Sequence, residues 1–293
     1  MDDTLTALLF RDPAGRTIAT VLHFACHGAA VCSQQIGGDI PGALARHVAE
    51  LLDGPCLYVQ GATGDIGPLA VSAERAAMEN WLKPFTNHLD DLPVRLYPLN
   101  GTPLRMASAD LHLEYQALPS RAATLRTIEN FDRIAQGDVD SPDVQDTIRL
   151  LGNIMNIKPG ERPDASKAAY ASKALANAER RVLAAIDSGG PVKPCRATVA
   201  VLRVGQIALA CVSAEVFAIT GFRIRALSRD IALLPVSYAA PIVGYVPDRE
   251  SMAKGGYEVD DAWRFYRHPA PFTPDSEERI VETVRGLIGQ VQK

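Results

Sequence analysis

The sequence predicts an α/β protein: a mixed β-sheet core flanked by helices, with a mostly helical segment inserted at about residues 120–188. Three observations predict it. Short apolar runs with strand alternation fill the first third and return after residue 195. Between them lie long stretches rich in Ala, Arg, Glu and Leu at helical spacing. The composition is that of a globular protein, 47% hydrophobic and 22% charged over 293 residues, enough for a sizeable core and read as one domain over 1–293.

In chain order, "TALLFRDPAGRTIATVLHFAC" predicts a hairpin: two β-rich runs surround the "DPAG" turn at residues 12–15, and the second run leads to His27. "GGDIPGALARHVAELLDG" predicts a helix. Asp39 stands near its N-cap and Pro41 in its first turn, Leu44, Val48 and Leu51 give the apolar face, and Gly54 stops it. "PCLYVQ" is the next strand, followed by the loop "GATGDIGP" at residues 61–68 and a helix over 72–81. Three amphipathic helices are expected in the insertion, separated by "GDVDSPD" and "KPGERPD". "CRATVAVLRVGQIALACVSAE" then predicts a hairpin turning at Gly205 and ending at Glu215, "FAITGFRIRALSRD" a helix, and "IALLPVSYA" a buried strand. "VGYVPDRESMAKGGYEVDDA" has no packing period and reads as a long loop. "TPDSEERIVETVRGLIGQVQ" closes the chain as a helix with an acidic first turn.

Several function classes find no support. Thirty basic and thirty-four acidic residues give a net charge of -4, with no basic block and no aromatic ladder for nucleic acid. No apolar stretch reaches the roughly 18 residues of a membrane span, and "MDDTLTALLF" is too acidic and too short in its apolar run for a signal peptide. A cytoplasmic chain is expected from the sequence as given. Five cysteines without CxxC spacing predict buried free thiols. There is no GxSxG elbow, HExxH helix, EF-hand loop or dinucleotide fingerprint.

His27, Glu215 and Tyr245 share one setting: each lies at the end of an apolar run or in the loop after it. Strand ends are where a rigid sheet presents side chains to a cleft, and imidazole, carboxylate and phenolate are all donors for a borderline cation such as zinc. A buried histidine bonded to a backbone carbonyl is the ordinary alternative. Residues four apart on a strand lie roughly 13 Å apart, so His23 and His27 would not share one ion, and His23 reads as a core histidine with a backbone partner. The loop 61–68 is either an anion cradle or a turn fixed by Asp65, which can orient a ligand or cap.

The order of these motifs resembles a known family. "HFACHG" followed by "GGDIPGALAR", then "QGATGDIGP", "VSAEVFAITGFRIRALS" and "VGYVPDRESMAKGGYE" resemble, in sequence and over most of the chain, the catalytic domain of the neutral/alkaline (non-lysosomal) ceramidases. The resemblance implies a hydrolase that cleaves the amide bond of N-acyl lipids at one zinc ion. It places His27 at the family's second zinc histidine, Glu215 at its carboxylate ligand and Tyr245 at its tyrosine ligand. Asp65 and Tyr245 are the catalytic candidates, and Asp39 and Asp65 are expected to fix loops around the ligands. Two departures accompany the matches. The family's first zinc histidine, in an "HTHSGP"-like motif, has no counterpart here, and Gly67 stands where ceramidases carry a serine implicated in catalysis. The expectation is therefore a zinc-dependent hydrolase of a lipid-like amide or ester. Its alternatives are a chain cut from a longer protein, a ligand from elsewhere, or an inactive relative that serves as a binding or assembly module.

Overall fold

In the computed structural model, which describes residues 2–33, 35–99, 101–155, 163–239 and 241–292, the chain is a mixed α/β protein as expected. It forms two units: Met1–Asp110 with Thr198–Ile242 and Arg279–Lys293, and Leu111–Ala197 with Val243–Glu278.

The first unit begins with strands β1 (Thr6–Arg11) and β2 (Thr17–Phe24), paired antiparallel. Asp12 makes their turn, its carboxylate accepting from the amides of Ala14 and Arg16, both at 2.9 Å, while Gly15 takes a φ of 83°. Helix α1 (Asp39–Leu51) then carries the chain to β3 (Cys56–Gln60), which lies parallel to β2 with Phe24 opposite Gln60. Ile40, Leu44 and Val48 of α1, one helical turn apart, pack with Leu22 and with Met78 and Leu82 of helix α2 (Arg75–Leu89). A short helix, α3 (Leu92–Arg95), follows.

A second sheet has the order β4, β5, β6, β8, formed by Leu104–Leu113, Cys195–Val204, Ile207–Val212 and Ala232–Val236. The short strand β7 (Glu215–Val216) and helix α7 (Ala218–Arg225) lie between β6 and β8, so β6 and β8 run parallel. Leu8 of the first sheet packs with Ile207 and Leu234 of the second. Helix α9 (Ser276–Gln292) buries Ile280, Val284 and Leu287, and Arg203 donates to the Val291 carbonyl near its end at 3.0 Å.

The second unit holds the expected helical insertion: α4 (Arg121–Ala135), α5 (Gln145–Met155) and α6 (Ala165–Asp187). Ser120 caps α4 and Asp164 caps α6, and Phe131, Ile134, Leu151 and Leu175 form the core between them. Arg264, half-buried beside Trp263, donates to Glu179 of α6 at 2.6 Å.

Four expectations need correction. Helix α2 runs over 75–89 rather than 72–81, because its apolar face continues from Met78 through Leu82 to Leu89, across Pro84. Strand β4 has no counterpart in the sequence reading; its first three residues are exposed, and burial alternates along the rest of the strand. The long loop after Gly244 is not irregular throughout. It contains strand β9 (Tyr245–Val246) and helix α8 (Arg249–Lys254), the latter capped by Asp248, which accepts from the amides of Glu250 and Ser251. The cysteines are all free, but only Cys26 is buried, and Cys32 is exposed. Among the described residues no helix is long and apolar enough to cross a membrane.

Candidate active site

The site grows from the point where β2 ends. The strand stops at Phe24, three residues before His27, which therefore stands in a loop and not on the strand face shared with His23. Three bonds fix that loop. The Gly61 amide donates to the Phe24 carbonyl at 2.8 Å, Gln60 Nε2 to the Cys26 carbonyl at 2.7 Å, and the His27 amide to the Ile66 carbonyl at 3.0 Å. Gly61 has to be small, since a Cβ there would lie 2.8 Å from that of Ala25.

The loop 61–68 is held on its other side by the segment that carries Glu215. The Gly64 amide donates to the Val216 carbonyl at 2.9 Å, and Asp65 Oδ1 accepts from the Ala218 amide at 2.7 Å, at the first residue of α7. Asp65 thus takes the capping role of its two sequence readings, relieving one of the unpaired amides at a helix start. Three loop amides, those of Gly61, Gly64 and Ile66, are already bonded within the protein, which leaves the loop poorly suited to the anion cradle. It acts as a brace that brings His27 and Glu215 into one place. Asp39, at a φ of 49°, clamps the neighbouring loop by accepting from the amides of Ala30 and Val31, and does not serve as the N-cap expected of it.

Glu215 is buried, its side chain 2% exposed, and its Oε2 lies 3.7 Å from His27 Nε2. Between them comes a residue that the sequence reading missed. Tyr238, just after β8, donates its hydroxyl to Glu215 Oε2 at 2.5 Å and meets His27 Nδ1 at 2.8 Å, its ring edge-on to the imidazole. Its φ of 60° is left-handed, which costs a non-glycine residue about 1–2 kcal/mol. Such strain persists only where the surroundings over-determine it. Here they do: the amides of Ser237, Tyr238 and Ala239 donate to the carbonyls of Gln60, Ala214 and Val212. The strand-end rule that selected His27 and Glu215 applies equally to Tyr238 and could have found it. All three belong to the first unit, and His27 and Tyr238 line a cleft of about 630 Å³ with Pro41, Tyr58, Gln60 and Val236.

Three further residues have their own surroundings. His23 is fully buried and its Nε2 contacts the Pro235 carbonyl at 2.7 Å; a carbonyl only accepts, so Nε2 carries the proton. Burial holds the His23 pKa below its ordinary value, keeping the ring neutral. Tyr245 lies in the second unit, its ring packed edge-on against Tyr257 and Tyr266. Cys26, next to His27, has its thiol pushed up to about 11 by burial and the Asp39 charge, so it is no thiolate nucleophile at neutral pH. Among the described residues no group of three His, Cys, Asp or Glu side chains is gathered to hold a metal.

No family model matches the chain, and no curated protein matches it. Solved structures do. The neutral ceramidase of Pseudomonas aeruginosa is 15% identical, with a TM-score of 0.57 over 98% of this chain and 46% of that one. A structure described as ceramidase complexed with C2 is 14% identical, with a TM-score of 0.59 over 98% of this chain and 48% of that one. The chain therefore shares the ceramidase fold and spans about half the length of the solved structures it matches.

Proposed function

We propose that this chain is a ceramidase-like hydrolase unit that cleaves an amide or ester bond of a lipid-like substrate with the help of zinc. The observation that carries the reading is the approach of His27 Nε2 to Glu215 Oε2 at the brace of loop 61–68, inside a fold shared with neutral ceramidases. Zinc binds imidazole nitrogen at about 2.0–2.1 Å and carboxylate oxygen at about 2.0–2.2 Å. Two donors 3.7 Å apart therefore fit neighbouring positions on one ion. His27 and Glu215 would supply those positions and Tyr245 a third. Zinc, when bound, polarises a carbonyl and lowers the pKa of its water to about 7, the chemistry that amide or ester hydrolysis needs.

The chain's own residues supply the rest. The cleft has the volume of an ordinary small-molecule site, and Ala29, Pro41, Val59 and Val236 give it apolar walls for an acyl group. Asp65 holds α7 and the Glu215 segment in register with His27. Gly67 offers no hydroxyl to the reaction, which points away from ceramide itself and toward another N-acyl amide or an ester.

The test is zinc per chain by elemental analysis after zinc reconstitution, together with release of product from a panel of N-acyl amides and esters. Near one zinc in the parent, none in His27→Ala, and turnover lost with the metal are expected. Absence of zinc and of turnover in the parent would overturn the hydrolase reading in favour of a binding or assembly module.

A further inference from the structure

We propose that the outer edge of β1 is a self-association surface: it pairs antiparallel with β1 of a second copy of this chain, about a two-fold axis at Ala7. The strand ends its three-stranded sheet, with β2 as its one sheet neighbour. Among the described residues no hydrogen bond reaches Thr6–Arg11 from outside that sheet. Both faces of the strand are packed, Leu8 against Ile207 and Leu234, and Leu5, Ala7 and Leu9 against the core around Leu22 and Leu44. What stays open is the edge itself. Two cavities of about 470 and 390 Å³ run along it and share Ala7, Leu8 and Tyr97. Leu5 to Phe10 carry no charge and no proline, the usual guards of an exposed edge.

Backbone pairing fixes which groups point outward. The Thr20 amide of β2 donates to the Pro55 carbonyl at 2.8 Å, on the β3 side, so Thr20 turns its polar groups away from β1. Leu9 lies opposite Thr20, and Ala7 stands two residues before it. Leu9 and Ala7 therefore direct their N–H and C=O groups out of the sheet edge. In a two-fold pair centred on Ala7, each Ala7 exchanges both bonds with its copy, and Leu9 faces Leu5 of the second copy in the same way. This register brings Asp3 of each copy opposite Arg11 of the other. Both side chains are exposed and border the cavities, and neither makes an ion pair with a described residue. Sliding by two residues would set Arg11 opposite Leu5 or Asp3 opposite Leu9, and sliding by one would face outward groups with inward ones. Charge complementarity thus selects both the occupant and the register, since opposite charges across a strand pair attract and like charges repel.

The experiment uses the full chain. Sedimentation from about 1 to about 100 µM is expected to show monomer and dimer in exchange, with hydrogen exchange of the Ala7 and Leu9 amides slowing as the dimer forms. Arg11→Asp sets like charges at both ends of the pairing and should raise the dissociation constant at least about tenfold. Adding Asp3→Arg to that variant should restore the parent affinity. Ala7→Pro removes one outward amide, is tolerated at a sheet edge, and should leave a folded monomer. A parent that stays monomeric throughout overturns the proposal whether or not the variants fold. So does a dimer in which Ala7 and Leu9 still exchange fast, because it joins through another surface. Protection of those amides at every concentration also overturns it, since another segment then covers the edge. A folded double variant that fails to recover dimerisation overturns the register and with it the proposal.

Discussion

His23 and His27 are four residues apart, and their surroundings give them opposite characters. His23 is fully buried against the Pro235 carbonyl, whereas His27 lines the cleft in contact with Tyr238 and beside Glu215. Asp65 can be examined at the same scale. Its carboxylate bonds the first amide of α7, so Asp65→Ala should cost about 1 kcal/mol, while Asp65→Asn should keep most of that stability, read from urea midpoints. An equal loss in both variants would mean that charge, not capping, is what the carboxylate contributes. Gly67 has nothing within 4 Å of an added Cβ, and Gly67→Ser should change stability by no more than about 0.5 kcal/mol. That substitution restores the hydroxyl of the resembling family, and turnover of an N-acyl sphingoid amide before and after it measures what the glycine removes.

Loop 61–68 is the element on which the site depends. It is bonded to the His27 amide on one side and to Val216 and Ala218 on the other, so its packing sets the distance between imidazole and carboxylate. Gly64 is the tightest point on the Glu215 side: an added Cβ would lie 2.7 Å from the Phe217 ring and 2.9 Å from the Glu215 carbonyl oxygen. Gly64→Ala should destabilise by about 1–3 kcal/mol and weaken zinc binding, because the backbone that carries Glu215 has to move. A variant with parent stability and parent zinc affinity would show that the brace has slack. Gly64 and Gly67, three residues apart in one glycine-rich stretch, thus have opposite tolerances. Only the packed structure tells them apart, since the difference lies in what approaches each Cα.

At the scale of the whole molecule, both units carry a histidine that burial holds below its ordinary pKa: His23 in the first and His268 in the second. The native state therefore binds fewer protons than the unfolded chain just below the ordinary value of 6.5. Stability rises with pH wherever the unfolded state holds more protons. It should be full above 6.5 and fall as pH drops below that value toward the folded-state values. The paired carboxylates act lower. Burial would raise Asp2 and Asp248, but the Arg225 pair at Asp2 and the Ser251 and backbone bonds at Asp248 outweigh it and lower both, so their loss comes below 3.8. Urea midpoints should therefore already decline between pH 7 and 5. A flat profile there would show that the two rings take up protons without cost.

The sequence by itself determined the α/β class, the hairpins at Asp12 and Gly205, helix α1, the helical insertion and the closing helix, because alternation, helical spacing and caps are local signals. It also determined that the motif order resembles the ceramidases, a likeness the fold shares. Helix α2 past Pro84, strand β4 and helix α8 were not read from the sequence: a proline interrupts α2, β4 opens on three exposed residues, and α8 is only six residues long. His27 and Glu215 could be named as candidates from their strand ends, but 188 positions of sequence separate them. Their contact, and the insertion of Tyr238 between them, were decided by the tertiary structure alone, because the bonds of loop 61–68 join segments with no relation along the chain.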